Sequence, residues 1–482
     1  MGVYGDLSGY ENLEIVSPYN LQQLRELKIT RRINCHTRLF YSGIIPEAQK
    51  DSYIRMATAT DTITVNHKDS LGRLRPLFKG FTVNIGVKVV HGVYYLEVDG
   101  VSHTAVLDVK LRNRSFQNQD QKFPAWLNQI MSAYPGGSIK DQVSNGERVA
   151  QLILQKDETD WQLLLRRASL FNTFLVPYDL ADQAKLWFGL PDEDQETELP
   201  DDLPYKIGKN LADYAEFSEN YLQSLTDTDF TYYIVGTGRY YPLGSAVKFQ
   251  GTKLIVAQSL AELKSGSLFY EYLLCPAAGL KQKPIYNRQI IGASLRGKVI
   301  DVNKDRVRVH LEIDAKQDQD TAWWFPYASF YTAEGNSGWY CMPQSGDYLQ
   351  IYFPSGREEE AIATNSVRKE KESCQKTQDP NVKYFGTNHG KELMLAGGEL
   401  SLSVKNQKEG KIQVKLNEDE GIEIRSDNEI YLTARKDLIF DLDHKATIKA
   451  KEELQVVCGE SSINMDGITH FKGVEVTIEP QK

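Results

Sequence analysis

The hydrophobic pattern is most regular towards the C-terminal end of the chain, where it repeats every eight residues from Lys411 to Met465. Val414, Ile422, Ile430, Leu438, Ala446 and Leu454 fall on one register. Leu416, Ile424, Leu432, Phe440, Ile448 and Val456 fall on a second, two residues later. Apolar residues at i and i+2 share one face of a strand, and the polar run between pairs, such as Arg425–Glu429, turns the chain. A period held this long is a repeat signature, and repeats decide architecture. Three octads would make one solenoid turn of roughly 24 residues, so a single chain has too few turns to bury a core. Three chains wound together supply the missing strands. The expectation for 411–482 is an intertwined trimeric β-prism, a β-helix needle. Its trimer core is Val414, Leu416, Ile422, Ile424, Ile430, Leu432, Leu438, Phe440, Ile448, Leu454 and Val456. The plainer alternative is a β-sandwich edge whose spacing is accidental.

Elsewhere the period changes along the chain. Residues 27–115 read as strands, with Val83–Val90 and Val93–Val98 separated by a His91-Gly92 turn. Cys35 and His36 are adjacent on a strand and so point to opposite faces, which rules out a thiol–imidazole dyad between them. Trp126, Ile130 and Met131 suit a short helix stopped by Pro135-Gly136-Gly137. Thr159 or Asp160 caps a second helix with Trp161, Leu164, Leu165 and Ala168 as its apolar stripe. Its Arg166-Arg167 pair is expected on a solvated face. Pro191–Asp202 reads as an exposed acidic loop without EF-hand spacing. Strands return over 229–275. Residues 288–367 hold five short strands with glycine corners, the pattern of an OB-type barrel. Such barrels bind single-stranded nucleic acid through aromatic residues on a basic groove. Trp323, Trp324 and Trp339 are instead surrounded by acids, at 314–320 and Glu358–Glu360, so packing roles are expected.

Composition narrows the function classes. The 482-residue chain has 41% hydrophobic residues and a net charge of −9. That is ordinary for a globular, multidomain protein and argues against a nucleic-acid-binding body. Cys35, Cys275, Cys341, Cys374 and Cys458 form neither a zinc pattern nor a disulfide framework, which suits a chain made in a reducing cytoplasm. Met1–Asp6 shows no signal-peptide pattern, so no general secretory route is expected. No GxSxG, HExxH, Walker or dinucleotide motif occurs, and neither a catalytic site nor a cofactor is expected.

Several motifs in order resemble one family. Ile33–Leu39, Ser42–Ile45, Tyr95–Ser102 with Leu107-Asp108, and Arg114–Gln117 look like the opening of phage tail hub proteins and of the valine-glycine repeat (VgrG) spike family. Thr159-Asp160-Trp161 with Leu165-Arg166-Arg167 is similar to a helix of that family. The most specific match is 288–367, with Gly297–Ile300, Asp305–Leu311, Trp323–Tyr327, Gly338–Tyr340 and Gly346–Phe353. The resemblance implies a mainly β chain. Its parts are a first hub barrel (1–120), an α/β segment (121–225), a second hub barrel (226–287), the OB barrel (288–367), a charged linker into the needle (368–410) and the needle (411–482). Two similar barrels in each of three chains would seat on a hexameric tube. The implied function is a structural spike of a contractile injection system. The trimer caps the tube and punctures the target envelope on sheath contraction, touching the membrane only then. Implied partners are the tube, baseplate proteins, effectors and a tip-capping cone protein, with no nucleic acid. The spike would be assembled in the cytoplasm and delivered outside within the particle. The alternatives are a spike carrying a cell-wall hydrolase and a β-solenoid surface adhesin. A last strand is expected over Phe471–Ile478, leaving a blunt tip. There, three copies of His470 about a threefold axis form a weak metal candidate, since one histidine per chain offers no second row of ligands.

Overall fold

The computed structural model describes residues 9–69, 72–192, 197–333, 335, 337–368, 374–405 and 411–477. The chain divides into two compact units, 1–371 and 372–482. The signal-peptide reading at Met1–Asp6 and most of the charged linker at 368–372 lie outside the described residues, as does part of the acidic loop.

The first unit is organised by a twelve-stranded sheet made of two halves. The first half runs Leu13–Val16, Thr62–Lys68, Leu74–Val90, Val93–Ser102, Cys35–Ile45 and Gln23–Arg32 in spatial order. The second continues through Thr252–Lys264, Ser267–Cys275, Thr231–Thr237 and Tyr205–Lys209, with Ala246–Phe249 and Thr197–Glu198 alongside. The seam is antiparallel, pairing Arg32 with Gln258 and Lys28 with Glu262. One core serves both halves: Leu27, Tyr41, Phe78 and Val98 meet Val235, Phe249, Val256 and Tyr272. The expected turn at His91-Gly92 is present, with φ of 50° and 80°. Positive φ at both positions matches the twist of a tight hairpin.

The second half begins earlier than the sequence suggests. Tyr205–Lys209 pairs with Thr231–Thr237, and Thr197–Glu198 with Ala246–Phe249. Tyr205–Lys209 ends the strand path and is mostly exposed, so it needs no buried run to betray it.

Between the halves, the helices Phe123–Met131 and Asp160–Leu170 pack around Trp126, Ile130, Trp161, Leu164 and Phe188, beside a three-stranded sheet. Thr159 forms a full capping box with Gln162, satisfying two donors at the helix start. The predicted stripe differs in one place: Leu163 is buried and Leu165 only partly so. The solvated face predicted for Arg166-Arg167 is wrong, since these arginines are 2% and 3% exposed. The helix is covered on a second side, and what covers it is the next domain.

That domain is the OB barrel. Its five antiparallel strands run Trp324–Pro326, Arg306–Leu311, Ser294–Asn303, Tyr348–Tyr352 and Ile362–Ser366. A bridge between Tyr327 and Ala363 links the two ends of this order. Val299, Val307, Phe325 and Ile351 fill the barrel, and Leu152 and Leu154 from the preceding segment join its core. Trp323 packs against that core, and the Arg308 guanidinium lies 4.5 Å over the Trp324 ring. Trp339 does not pack inward. It sits at 51% exposure on a loop with Phe330, Tyr331 and Tyr340, all exposed.

In the second unit a five-stranded meander runs Lys383–Gly386, Lys391–Leu395, Glu399–Lys405, Lys411–Asn417 and Gly421–Arg425. Three of these strands fall where a linker was predicted. A separate three-stranded sheet holds Leu454–Cys458, Ser461–Met465 and Thr469–Lys472. Residues 426–453 form no strand, although three octads lie there. A ladder needs a hydrogen-bonding neighbour, and among the described residues this segment has none. Among the described residues the last strand is Thr469–Lys472, which overlaps the expected Phe471–Ile478 only at Phe471-Lys472, and Ile478 lies outside the described residues.

Candidate functional site

The five-stranded meander is amphipathic in register. Leu393 pairs with Leu402, Leu402 with Val414, and Val414 with Ile424. The next row is Leu395, Leu400, Leu416 and Ile422. Directly opposed residues share a face, so eight aliphatic side chains form one apolar surface. The intervening positions carry polar groups: Lys415 lies 3.3 Å from Glu399 and 2.9 Å from Glu420. Ile422 is 72% exposed and Ile424 59%. At about 25 cal/mol per Å², leaving such a face in water forgoes several kcal/mol per layer.

The structure therefore brings together four of the predicted core residues, Val414, Leu416, Ile422 and Ile424. Leu454 and Val456 lie on the other sheet, opposite Met465 and Ile463. Ile430, Leu432, Leu438, Phe440 and Ile448 are exposed and are not gathered by any strand. The pairs Leu393/Leu395 and Leu400/Leu402 were missed. They carry the same i, i+2 signal but stand seven residues apart, out of step with the octads.

A second arrangement was also missed, the buried joint between the α/β segment and the OB barrel. Arg166 donates through Nε and Nη2 to Glu158, and through Nη1 to Glu358 of the barrel. Ser115 donates to the Asp314 carboxylate from both its amide and its hydroxyl. Burial and the neighbouring Arg166 push Arg167 down to about 10. No pattern in the sequence pairs residues 158 and 358, which lie far apart along the chain. A similar clip joins the sheet to the α/β segment, where buried Arg31 donates to Asp179 at 2.8 Å. Burial pushes the Asp179 carboxyl up against the pull of that arginine.

The titratable groups near Cys35 and His36 serve packing. Cys35 is exposed, while the His36 ring lies 4.1 Å from Trp161 and its Nδ1 is 2.9 Å from the Thr104 hydroxyl. Burial pushes His36 down to about 4, although Asp108 stands 3.7 Å away. His470 is exposed, opposite Asn464 in the last sheet. Among the described residues no group of three or more His, Cys, Asp or Glu side chains could hold a metal.

Comparison with known proteins bears on this architecture. Residues 295–367 match the type VI secretion system/phage-baseplate injector OB domain. No curated protein matches the chain. Among solved structures, the Escherichia coli c3393 protein is 13% identical, with a TM-score of 0.50, over 74% of this chain and 100% of that one. It is described as a component of the type VI secretion system, structurally similar to the T4 bacteriophage tail proteins gp27 and gp5. The half-lidded Francisella PdpA–VgrG complex aligns at 11% identity and a TM-score of 0.55, covering 86% of this chain and 87% of its own. The lidless PdpA–VgrG complex aligns at 12% and 0.55, over 86% and 97%. The chain has a VgrG-like hub–spike fold, mainly β, built around an injector OB domain.

Proposed function

We propose that this chain is the structural spike of a contractile injection system, acting as a trimer that caps a hexameric tube and punctures the target envelope. The carrying observation is the order of parts. A two-half hub sheet is clipped to an injector OB domain, and the chain then continues into an amphipathic sheet whose apolar face includes the exposed Leu402, Leu416, Ile422 and Ile424. In a trimer those faces meet on the axis, and the unpaired octads at 426–453 gain neighbouring strands. A needle of that kind resists buckling because no chain can leave without breaking ladders to the other two. The role is mechanical rather than enzymatic, in keeping with the structural hub and spike proteins of this fold. Assembly takes place in the cytoplasm, where its five free cysteines stay reduced, and contraction carries the spike outside. Baseplate proteins, effectors and a tip-capping protein are its partners. A protein of this fold has been seen complexed with PdpA.

The test is reconstitution. Full-length protein should retain the hexameric tube protein of the same machine on a column. Ile422→Asp/Ile424→Asp should abolish injection in cells. Normal injection by that variant, or failure of the wild-type chain to hold tube, overturns the proposal.

A further inference from the structure

The joint between the hub sheet and the α/β segment contains a hydroxyl–imidazole relay that the spike reading does not use. The strand Val93–Ser102 leaves the sheet through a short 3-10 helix, His103–Asp108, which packs on the helix Asp160–Leu170. His36, from the paired strand Cys35–Ile45, touches both. Its ring lies 4.1 Å from Trp161, and its Nδ1 is 2.9 Å from the Thr104 hydroxyl. Thr104 Oγ1 in turn lies 2.9 Å from Ser102 Oγ, which accepts the Thr37 amide. Ser102 and Thr104 are fully buried.

One arrangement of hydrogens satisfies this chain. Ser102 donates to Thr104, Thr104 donates to Nδ1, and a neutral His36 carries its hydrogen on Nε2. Nε2 is then the one atom of the relay without a hydrogen-bond partner among the described residues. The Asp108 carboxylate stands 3.7 Å from it, beyond hydrogen-bond reach. Asp108 Oδ1 instead accepts the Thr159 hydroxyl at 2.5 Å. Thr159 caps the helix Asp160–Leu170, so Asp108 ties the 3-10 helix to the start of that helix.

A second proton on the ring undoes this arrangement. Nδ1 becomes a donor, Thr104 must turn its hydrogen back to Ser102, and the Ser102 hydrogen loses its acceptor. Nε2 now presents a charged donor to Asp108, which must approach by about 1 Å to reach a charge-assisted length, and that approach pulls on the tie to Thr159. Arg38 on the same strand opposes the new charge, and from the helix it is the uncharged Trp161 that faces the ring. At the other end of the 3-10 helix, His103 is also buried, edge-on to Phe81, with Asp182 and Lys79 the charges facing it. Burial pushes both histidines down, which agrees with a folded joint built for neutral rings.

We propose that the 3-10 helix His103–Asp108 is an acid-operated latch. Protonation of His36 breaks the hydroxyl relay, draws Asp108 off Thr159 and lets the 3-10 helix part from the helix Asp160–Leu170. That helix also carries Arg166 to Glu358, so the latch sits where the hub sheet and the OB barrel are coupled. It lies within the first unit and depends on neither the trimer nor the needle.

Hydrogen–deuterium exchange of the full-length protein tests it, with exchange times corrected for the intrinsic effect of pH. From about pH 7 to about pH 5, protection of 103–111 and 159–170 should fall at least about tenfold, while the OB strand Arg306–Leu311 keeps its protection. His36→Gln should hold both segments protected across that range. Exchange at the imidazole carbon between the two ring nitrogens reads His36 directly. Its midpoint should lie at least about one pH unit below that of the exposed His91. Asp108→Asn keeps an acceptor for Thr159 but removes the charge that favours the protonated ring, so it should lower the His36 midpoint further. Should either variant fail to fold, the two measurements on the parent protein decide. Unchanged protection, equal loss in Arg306–Leu311 or a His36 midpoint level with that of His91 overturns the proposal. So does a pH dependence that persists in His36→Gln, or a midpoint unmoved in Asp108→Asn.

Discussion

At the residue scale, the buried charges decide how the first unit holds together. Arg166 is shared by Glu158 and Glu358, which makes it the polar pin between the α/β segment and the OB barrel. Removing one member of a buried pair leaves the other unpaired, at about 3–5 kcal/mol. Arg166→Ala should therefore lower the free energy of urea unfolding of the first unit by that amount, whereas the same change at the exposed Arg55 should move it by less than about 0.5 kcal/mol. Equal effects would place the joint's stability elsewhere. His36 gives a pH prediction. Burial holds its folded-state pKa at about 4, below the unfolded 6.5, so the unfolded chain binds more protons between those values. Stability tied to this residue is present above pH 6.5 and is lost as pH falls towards 4, by about 1.4 kcal/mol per unit at most. His36→Gln keeps a partner for Thr104 and should flatten the pH dependence of thermal unfolding over that window. An unchanged profile would assign the acid lability to other groups, among them His103, which burial also pushes down.

At the element scale, the aligned apolar rows make a prediction about the needle. Ile430→Asp/Leu432→Asp puts six carboxylates on the axis of a trimer, each costing several kcal/mol if unpaired. Limited proteolysis should then remove 372–482 while the first unit survives, and a protease-resistant variant would mean that these octads do not face the axis. How much the sequence disclosed depends on whether a feature is local. The octads, the His91-Gly92 hairpin, the Thr159 cap and the five OB strands each rest on residues within one element. The structure has the hairpin, the cap and the OB strands, and it pairs the first octads into one sheet. The earlier start of the second sheet half was not legible, because Tyr205–Lys209 is an exposed edge strand with lysines at two of its five positions. Nor were the strands at 383–405, whose apolar pairs keep a spacing different from the octads. Arg166-Arg167 looked like a solvated face because two adjacent arginines on a helix usually are. Glu158 compensates for part of that burial, and the rest comes from Glu358, which arrives from far along the chain.

At the scale of the whole molecule, the two units differ in how far one chain completes them. The first unit has cores of its own, with Tyr41, Trp126 and Phe325 all fully buried. The second has an amphipathic sheet, a small three-stranded sheet and a stretch of unpaired octads, none of which encloses comparable apolar volume. Its largest aliphatic and aromatic side chains are the exposed ones: Ile422, Leu432, Phe440 and Ile448 are all more than half exposed. In the proposed function, tube capping, needle stiffness and puncture would all follow from one step, in which three chains cover one another's apolar faces. The most direct test is the mass of the purified full-length protein by light scattering during size-exclusion chromatography at micromolar concentration. A trimer gives three times 54.7 kDa, unchanged on dilution through that range, and this is the expected result. A particle of 54.7 kDa would contradict it.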